Sequence, residues 1–229
     1  MNKIIAGVIT ALLVVSGFLI NHYYNPFQEA VGDDAVSNST AASKVKIQII
    51  DKGNYREFVP VKTVNPFVLE QVDGEFTNQD LINKWTFVIF GYTYCPDVCP
   101  TTLTRIKAVL PALKSTGNVQ IVFVSADPLR DTAERLAQYV NYFDSSFLGL
   151  TTNHKALFPF AQNLYLPYGI VTEKKSDNYA VNHSASIALI NPKGEYVVQF
   201  KPEYIAGEVP TVDMKAMAKS FEEIVKNNQ

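Results

Sequence analysis

Apolar residues along this chain occur in short blocks, and the spacing inside each block predicts the secondary structure. Blocks rich in β-branched and aromatic residues predict strands, whereas apolar residues repeated every three or four positions predict helices. The predicted strands cover residues 45–50, 57–61, 67–72, 85–90, 119–125, 184–190 and 195–200, with a further short apolar stretch at 147–150. The predicted helices cover residues 98–114, 132–143, 154–164 and 211–226.

The order of these elements indicates the fold class. Strands and helices alternate from residue 85 onward, which is typical of parallel strands joined by helical crossovers. Two later strands flank a turn at 191–194, and a last helix follows them. This order predicts an α/β domain in which helices flank one mixed sheet, the thioredoxin-like layout.

Two of the predicted helices carry further signals. Asp131 and Glu134 are spaced like the two ends of a capping box, so Asp131 is predicted to be the N-cap of the second helix. Met214 and Met217 are three positions apart on the last helix. Since methionine commonly fills gaps in cores, this spacing favours a core-facing stripe over a metal-binding pair.

The first residues have the pattern of a membrane anchor. An uncharged apolar run covers residues 4–20, with Lys3 before it and His22, Tyr23 and Tyr24 after it. These flanks match a single-pass anchor whose tail stays in the cytoplasm, so residues 1–27 are predicted to form an N-terminal transmembrane helix. A cleaved signal peptide is the alternative, although the small residues that could mark its cleavage site lie inside the apolar run.

The segments after the anchor differ from it in composition. Residues 28–44 are small, polar and without periodicity, which predicts a flexible tether. Residues 45–229 are about 185 in number, enough for one domain with a substantial core. Because the N-terminus lacks an Arg- and Ser-rich presequence, we expect a bacterial inner (cytoplasmic) membrane, with this domain on the periplasmic side.

Composition and charge narrow the classes of partner. The chain is 47% hydrophobic and 18% charged, which is ordinary for a globular protein, and its net charge is −2. No run of Lys and Arg occurs anywhere in the sequence. Because nucleic-acid binding depends on basic side chains that neutralise phosphates, no nucleic acid is expected as a partner.

Cys95 and Cys99 are the only cysteines, and both lie where the strand 85–90 gives way to a helix beginning near Asp97 or Val98. The N-terminus of a helix stabilises anions and lowers thiol pKa, which favours the thiolate that binds metals or attacks disulfides. Four helical positions rise by roughly 6 Å, so the pair could ligate one ion or form a disulfide. A purely structural disulfide is the alternative, but it would close too short a loop to stabilise the fold much.

Three histidines could add a further ligand. His22 belongs to the predicted membrane boundary, and His154 lies among Thr152, Asn153 and Lys155, where a solvated surface side chain is expected. His183 stands immediately before a predicted strand. Taken alone, a histidine in this position is more often structural and hydrogen-bonded than a metal ligand.

Several motifs in order along the chain resemble one family. They are an aromatic-rich strand followed by Cys95-Pro-Asp-Val-Cys99-Pro, a Ser-Ala-Asp-Pro-Leu-Arg-Asp-Thr segment at 125–132, and His183-Ser before an Asn-Pro-Lys-Gly hairpin at 191–194. With this set, which covers roughly residues 67–200, the chain resembles the Sco/SenC copper chaperones of cytochrome c oxidase assembly. One departure is Asn182, where family members usually carry Asp.

The resemblance implies a ligand set and partners. It implies copper held by Cys95, Cys99 and His183, and two sulfurs with one imidazole suit Cu(I) and also accommodate Cu(II). It further implies delivery to the dinuclear centre in the copper-bearing subunit of cytochrome c oxidase, after loading by an upstream copper donor or activation by a thiol reductant.

The resemblance leaves the roles of three polar residues in the 125–132 segment open. By analogy with the fold, Asp127 could lie near the site, or it could be a turn residue that positions the next helix. Arg130 and Asp131 are interpreted as a loop-ordering pair and a cap.

Thiol-disulfide exchange is the alternative function, with Cys95 and Cys99 as a catalytic redox pair acting on cysteines of the oxidase subunit or of a partner chaperone. The usual spacing in that class of enzyme is Cys-x-x-Cys, and the extra residue here argues against a general oxidoreductase, as does the lack of a proline just before the strand at Ser184. A peroxidase on the same fold has no supporting signal beyond the fold itself.

Overall fold

The computed structural model describes residues 46–171 and 179–228. These residues lie in one compact unit that spans Val45–Gln229. The predicted anchor at 1–27 and the predicted tether at 28–44 lie outside the described residues. Within the described ranges, no helix has the length and the apolar character needed to cross a bilayer.

A seven-stranded mixed sheet forms the centre of this unit. Its strands are β1 Gln48–Asp51, β2 Tyr55–Thr63, β5 Trp85–Gly91, β6 Val119–Ser125, β7 Phe147–Leu150, β10 Ile187–Ile190 and β11 Glu195–Phe200. They lie in the order β1-β2-β11-β10-β5-β6-β7. Strands β5, β6 and β7 are parallel, and the remaining neighbours are antiparallel.

Short two-stranded ribbons and four α-helices complete the described part of the chain. The ribbons pair β3 Val68–Gln71 with β4 Gly74–Thr77, β8 Tyr168–Val171 with β9 Ala180–His183, and β12 Pro202–Glu203 with β13 Thr211–Val212. The helices are α1 Val98–Thr116, α2 Ala133–Phe143, α3 His154–Asn163 and α4 Met214–Asn227, with a short 3-10 helix at Asn78–Leu81.

The core lies on both faces of the central strands. Every residue of β5 is buried, which agrees with its continuous apolar run and with a position between two neighbouring strands. Helix α4 covers this strand through Phe221, whose ring contacts Trp85 and Phe87 edge-on. Met214 and Met217 are both buried on the same helix, so their predicted place in the core is confirmed.

The predicted mixed α/β arrangement is confirmed, and its central sheet with four helices is consistent with the thioredoxin-like layout. The sequence did not predict β4, β8, β9, β12 or β13. These strands have two to four residues each, too short for a period to be visible, and each is held by its partner strand.

The predicted N-cap of α2 is wrong. Thr132 occupies that position, and its side chain accepts a hydrogen bond from the backbone N–H of Arg135. The Asp131 carboxylate is buried instead. Its Oδ2 accepts bonds from the Thr93 backbone N–H at 2.9 Å and from the Ser125 hydroxyl at 2.7 Å, and its Oδ1 accepts one from the Thr93 hydroxyl at 2.6 Å. Since these tertiary partners claim both carboxylate oxygens, Asp131 supports a neighbouring loop and not the helix.

Candidate metal centre

The two cysteines lie at the end of β5, in the segment of residues 92–99 that we call the thiol turn. Cys95 is half-buried before the helix, and its backbone N–H donates to the Tyr92 carbonyl at 3.1 Å. Cys99 is the second residue of α1 and is buried. The helix begins at Val98, as the sequence predicts, and both thiols are free.

Gly91 lets the buried thiol approach the strand. A Cβ at this position would lie 2.7 Å from the Cys99 Sγ and 2.5 Å from the Phe123 ring. Real Cβ atoms do not come so close to their neighbours, so any larger residue would push the helix, the strand or the ring away. A glycine at the end of an apolar strand often marks a position where another segment packs closely against the backbone. The sequence analysis did not assign Gly91 to the site.

His183 reaches the thiols from the far end of the β8–β9 ribbon. It is the last residue of β9 and is paired in register with Tyr168. The next residue, Ser184, donates its backbone N–H to the Pro167 carbonyl at 2.9 Å, which closes the ribbon. The His183 Nε2 then lies 3.4 Å from the Cys99 Sγ.

The hydrogen bonds of the imidazole favour one tautomer. His183 Nδ1 lies 3.2 Å from the carbonyl oxygen of Ser184, and a carbonyl can only accept. The proton therefore belongs on Nδ1, and the Nε2 lone pair faces the thiols. A histidine that ligates a metal usually has its second nitrogen bonded in this way. The Tyr92 ring packs against the imidazole, with centroids 5.8 Å apart.

The three side chains converge on one point. Their ligand atoms, the sulfurs of Cys95 and Cys99 and a ring nitrogen of His183, all lie within 4.8 Å of one another. One ion between them could reach all three with only small side-chain movements, since metal–sulfur and metal–nitrogen bonds are about 2.0–2.3 Å long. Two sulfurs and one imidazole form a soft donor set that suits copper.

The two thiols differ in proton affinity. A hydrogen bond from Cys99 is the main cause that lowers the pKa of Cys95 to about 4, and the backbone N–H groups of Cys99 and Asp97 add to it. Burial raises the pKa of Cys99, and the neighbouring Cys95 raises it further. Without metal at neutral pH, the pair therefore shares one proton, held by Cys99.

His154 is not the solvated surface residue that the sequence predicted. It is half-buried, its ring stacks on Tyr168, and its Nδ1 lies 3.1 Å from the Tyr168 hydroxyl. It is not among the three side chains that converge. The sequence around it is polar, and only the β8 strand packed against it explains its burial.

Asp127 and Arg130 lie beside the thiol turn and pair with each other. Asp127 is fully buried and binds the Arg130 guanidinium, so the predicted pairing of Arg130 with Asp131 is wrong. Asp127 also accepts a hydrogen bond from the Tyr179 hydroxyl at 2.6 Å. Tyr179 was not singled out from the sequence because it lies outside any local motif, next to the short strand β9.

Comparison with known proteins places these features in a family context. A family model described as SCO1/SenC matches residues 58–219 of this chain. The chain is 36% identical to the protein SCO1 homolog 1, mitochondrial, of Arabidopsis thaliana over 135 residues, which cover 58% of this chain and 40% of that protein. It is 29% identical to the human protein SCO1 homolog, mitochondrial, over 184 residues, which cover 79% of this chain and 61% of that protein.

A solved structure extends the likeness to the fold. The crystal structure of Arabidopsis thaliana ScoI with copper bound is 30% identical in sequence, with a TM-score of 0.61, and the match covers 71% of this chain and 98% of that chain. The two curated relatives are longer than the matched region, since the chain spans 40% and 61% of their lengths. The likeness therefore concerns the described unit and the centre within it.

Proposed function

The chain belongs to the SCO1/SenC family, and we propose that it is a copper-binding metallochaperone whose cargo is held by Cys95, Cys99 and His183. The observation that carries this proposal is the convergence of two sulfurs and one imidazole nitrogen within 4.8 Å. These residues come from a turn and from a strand that is 84 positions further along the chain. The stability of the fold does not require two thiols and an imidazole from distant segments to converge, so their convergence favours a metal-binding role.

The protonation of the two thiols suits the capture of a soft ion. Cys95 is already a thiolate at neutral pH, because its pKa is lowered to about 4. Cys99 releases its proton as the ion arrives, so that binding is coupled to the loss of one proton. Two thiolates satisfy Cu(I), and the Nε2 of His183 supplies the third donor that Cu(II) prefers.

The recipient that we propose is the dinuclear copper centre in the copper-bearing subunit of cytochrome c oxidase. Support comes from the family and from the accessibility of the site. Cys95 and His183 are only partly buried, and an open cleft of about 500 Å³ adjoins His183. A copper donor or a recipient could reach His183 through this cleft. Anchoring by residues 1–27 in the bacterial inner membrane, on the periplasmic side, would keep the site near a membrane-bound recipient.

A copper titration of the full-length chain tests this proposal. The reduced protein, purified in mild detergent, is expected to bind about one copper ion per chain, because a single donor set is formed. Cys95→Ala should abolish stoichiometric binding, and His183→Ala should weaken Cu(II) binding strongly. Met217→Leu is the matched control, since it removes a buried sulfur far from this donor set in sequence and should leave the stoichiometry unchanged. Equal binding by all four proteins would refute the proposal.

Thiol-disulfide exchange is a second candidate, favoured by the low pKa of Cys95 beside a buried thiol. The Cys95 thiolate would attack a substrate disulfide, forming a mixed disulfide and releasing one substrate thiolate. Cys99, after losing its proton, would then attack the Cys95 sulfur and release the second thiolate. The substrate gains two electrons, and the chain is left with a Cys95–Cys99 disulfide.

The reduction potential and the metal affinity distinguish the two candidates. A strongly reducing pair, near the value of about −270 mV known for thioredoxin, together with no affinity for copper, would favour exchange as the main role. Tight copper binding by the reduced pair would favour the chaperone. The two roles share a requirement, since the thiols must be reduced before copper can enter.

A further inference from the structure

Arg130 contacts both of the segments that carry the candidate ligands. Its guanidinium lies 4.7 Å from the ring centroid of Tyr94 and 5.8 Å from that of Tyr92, which both belong to the thiol turn. On its other side it lies 3.8 Å from the ring centroid of Tyr179. Tyr179 directly precedes β9, the strand that ends at His183. One cation is therefore packed among aromatic rings from both sides of the site.

A buried carboxylate fixes this cation in place. Asp127 is fully buried and holds the Arg130 guanidinium through an ion pair. The Tyr179 hydroxyl donates to the same carboxylate at 2.6 Å, and Arg130 Nη2 donates to the Tyr179 carbonyl at 3.0 Å. Both the side chain and the backbone of Tyr179 are thus held by the Asp127–Arg130 pair. Hydrogen bonds to charged partners in a buried setting are among the stronger ones in proteins.

Apart from these contacts, β9 is held by its pairing with β8 and by Val181, whose side chain is buried in the core. In residues 46–171 and 179–228, β9 pairs only with β8 and takes no place in the seven-stranded sheet. A two-stranded ribbon on its own is at best marginally stable in water. Val181 anchors the middle of the strand, and the contacts of Tyr179 with Asp127 and Arg130 anchor its start.

We propose that Arg130, with Asp127 and Tyr179, is a positioning group that holds β9 against the thiol turn and so keeps the His183 imidazole at the two sulfurs. The inference rests on the proposed function, in that His183 serves as the third copper ligand. Arg130 touches neither the ion nor a ligand atom and acts through the strand. Cu(I) binding needs only the two sulfurs, which the thiol turn supplies by itself. Cu(II) binding needs the imidazole, so it depends on the positioning group.

Arg135 provides a matched control. Its guanidinium also lies over the Tyr94 ring, at 4.4 Å, and it donates to the Thr93 hydroxyl at 2.7 Å. It therefore carries the same charge over the same ring, but its partners support the thiol turn and not β9. Arg135→Met removes a neighbouring cation without disturbing Tyr179, whereas Arg130→Met removes the link between the two segments.

The first test uses no metal. Hydrogen exchange at the backbone amides of residues 180–183 is compared in the reduced full-length chain and in three variants. Arg130→Met and Tyr179→Phe should each speed exchange in β9 by about tenfold or more, since the strand opens more often once its start is released. Arg135→Met should leave these amides unchanged. Tyr179→Phe keeps the ring and removes one hydroxyl, so it tests the idea even where Arg130→Met folds poorly.

The second test measures copper in each oxidation state. Removing a group that orients a ligand typically lowers metal affinity by about 10- to 100-fold. Arg130→Met and Tyr179→Phe should lower Cu(II) affinity by about tenfold and weaken the imidazole signature in its spectrum, with Cu(I) affinity changed by less than about threefold. Any effect of Arg135→Met should be equal for Cu(I) and Cu(II), because Arg135 contacts the turn that carries the sulfurs and not the strand that carries the imidazole.

The outcomes separate the inference from the function on which it rests. Unchanged β9 exchange in Arg130→Met and Tyr179→Phe, or equal losses of Cu(I) and Cu(II) affinity, would overturn the positioning role while leaving copper binding by the parent chain intact. Failure of the parent chain to bind copper would instead remove the proposed function. In that case the exchange data still decide whether Arg130 holds the strand.

Discussion

At the scale of single residues, the unequal thiols are the most consequential feature of the site. The Cys99 thiol donates toward Cys95 and holds the pair's proton, so the sulfur of the less buried residue carries the negative charge. The same arrangement serves metal capture and nucleophilic attack, because both need a thiolate that solvent can reach. His183 distinguishes the two proposed roles, because its imidazole can add a third ligand to a metal but forms no bond to a disulfide.

Alkylation of the reduced, metal-free chain should report this inequality. Because the pKa of Cys95 is lowered to about 4, it is a thiolate across the neutral range, and its reaction with iodoacetamide should be nearly independent of pH from about 6 to 8. Below about pH 5 the rate should fall as the thiolate is protonated. Cys99 should react slowly throughout, since it is buried and its pKa is raised. Peptide mapping by mass spectrometry measures each site separately.

Cys99→Ala is the control for the cause of the low pKa. It removes the hydrogen bond that lowers the pKa of Cys95 most, so the rate profile of Cys95 should move to higher pH. A rate that rises about tenfold per pH unit from 6 to 8 in the parent chain would contradict a pKa near 4.

At the scale of elements, the site depends on the close approach of helix α1 to the ends of two parallel strands. Gly91 of β5 pairs in register with Ser125 of β6, so the segments that follow them leave the sheet side by side. One becomes the thiol turn, and the other carries Asp127, Arg130 and Asp131. The Asp131 carboxylate accepts hydrogen bonds from the backbone N–H and the hydroxyl of Thr93, and these bonds tie the two segments together.

Gly91→Ala should disturb this approach. The new methyl group would overlap Cys99 Sγ and the Phe123 ring, and overpacking of a core typically costs about 1–3 kcal/mol of unfolding free energy. Gly169→Ala is the matched control, because a Cβ there meets nothing within 4 Å. Urea denaturation of both variants measures the difference. Equal stability of the two would show that the strand and the helix can separate without cost.

At the scale of the whole molecule, the proposed function requires a tether as well as a site. A chaperone that serves a membrane-bound recipient gains effective concentration when both are confined to the same surface. The predicted tether at 28–44 would reach roughly 20–25 Å as a flexible coil. It would let the copper-binding unit move over the membrane without losing contact with it.

Fractionation of bacterial cells that express the chain tests the predicted anchor. The full-length chain should remain with membranes after an alkaline wash, because an apolar helix inserted in lipid is not held by charge. A variant without residues 1–27, directed to the periplasm by a separate cleavable signal, should be released. Protease added to spheroplasts should digest the copper-binding unit of the full-length chain. An intact mass that lacks the first residues would instead show a cleaved signal peptide.

The sequence by itself determined the features that are encoded locally. Apolar periodicity predicted the central strands and the four helices, because burial on one or both faces imposes a repeat over a single element. The spacing of Cys95 and Cys99 brought both thiols to one turn, since four residues cannot separate far at the start of a helix.

Only the tertiary structure decided which distant groups meet. The short ribbon that brings His183 to Cys99 has no visible period, and its position depends on contacts with Tyr179, Arg130 and Asp127 that no local pattern contains. Asp131 shows the same limit. Its sequence pattern predicted an N-cap, but in the fold its carboxylate is buried and binds Thr93 and Ser125 instead. A local sequence signal states what a residue can bind, whereas the packing of the whole chain determines which of its possible partners lies within reach.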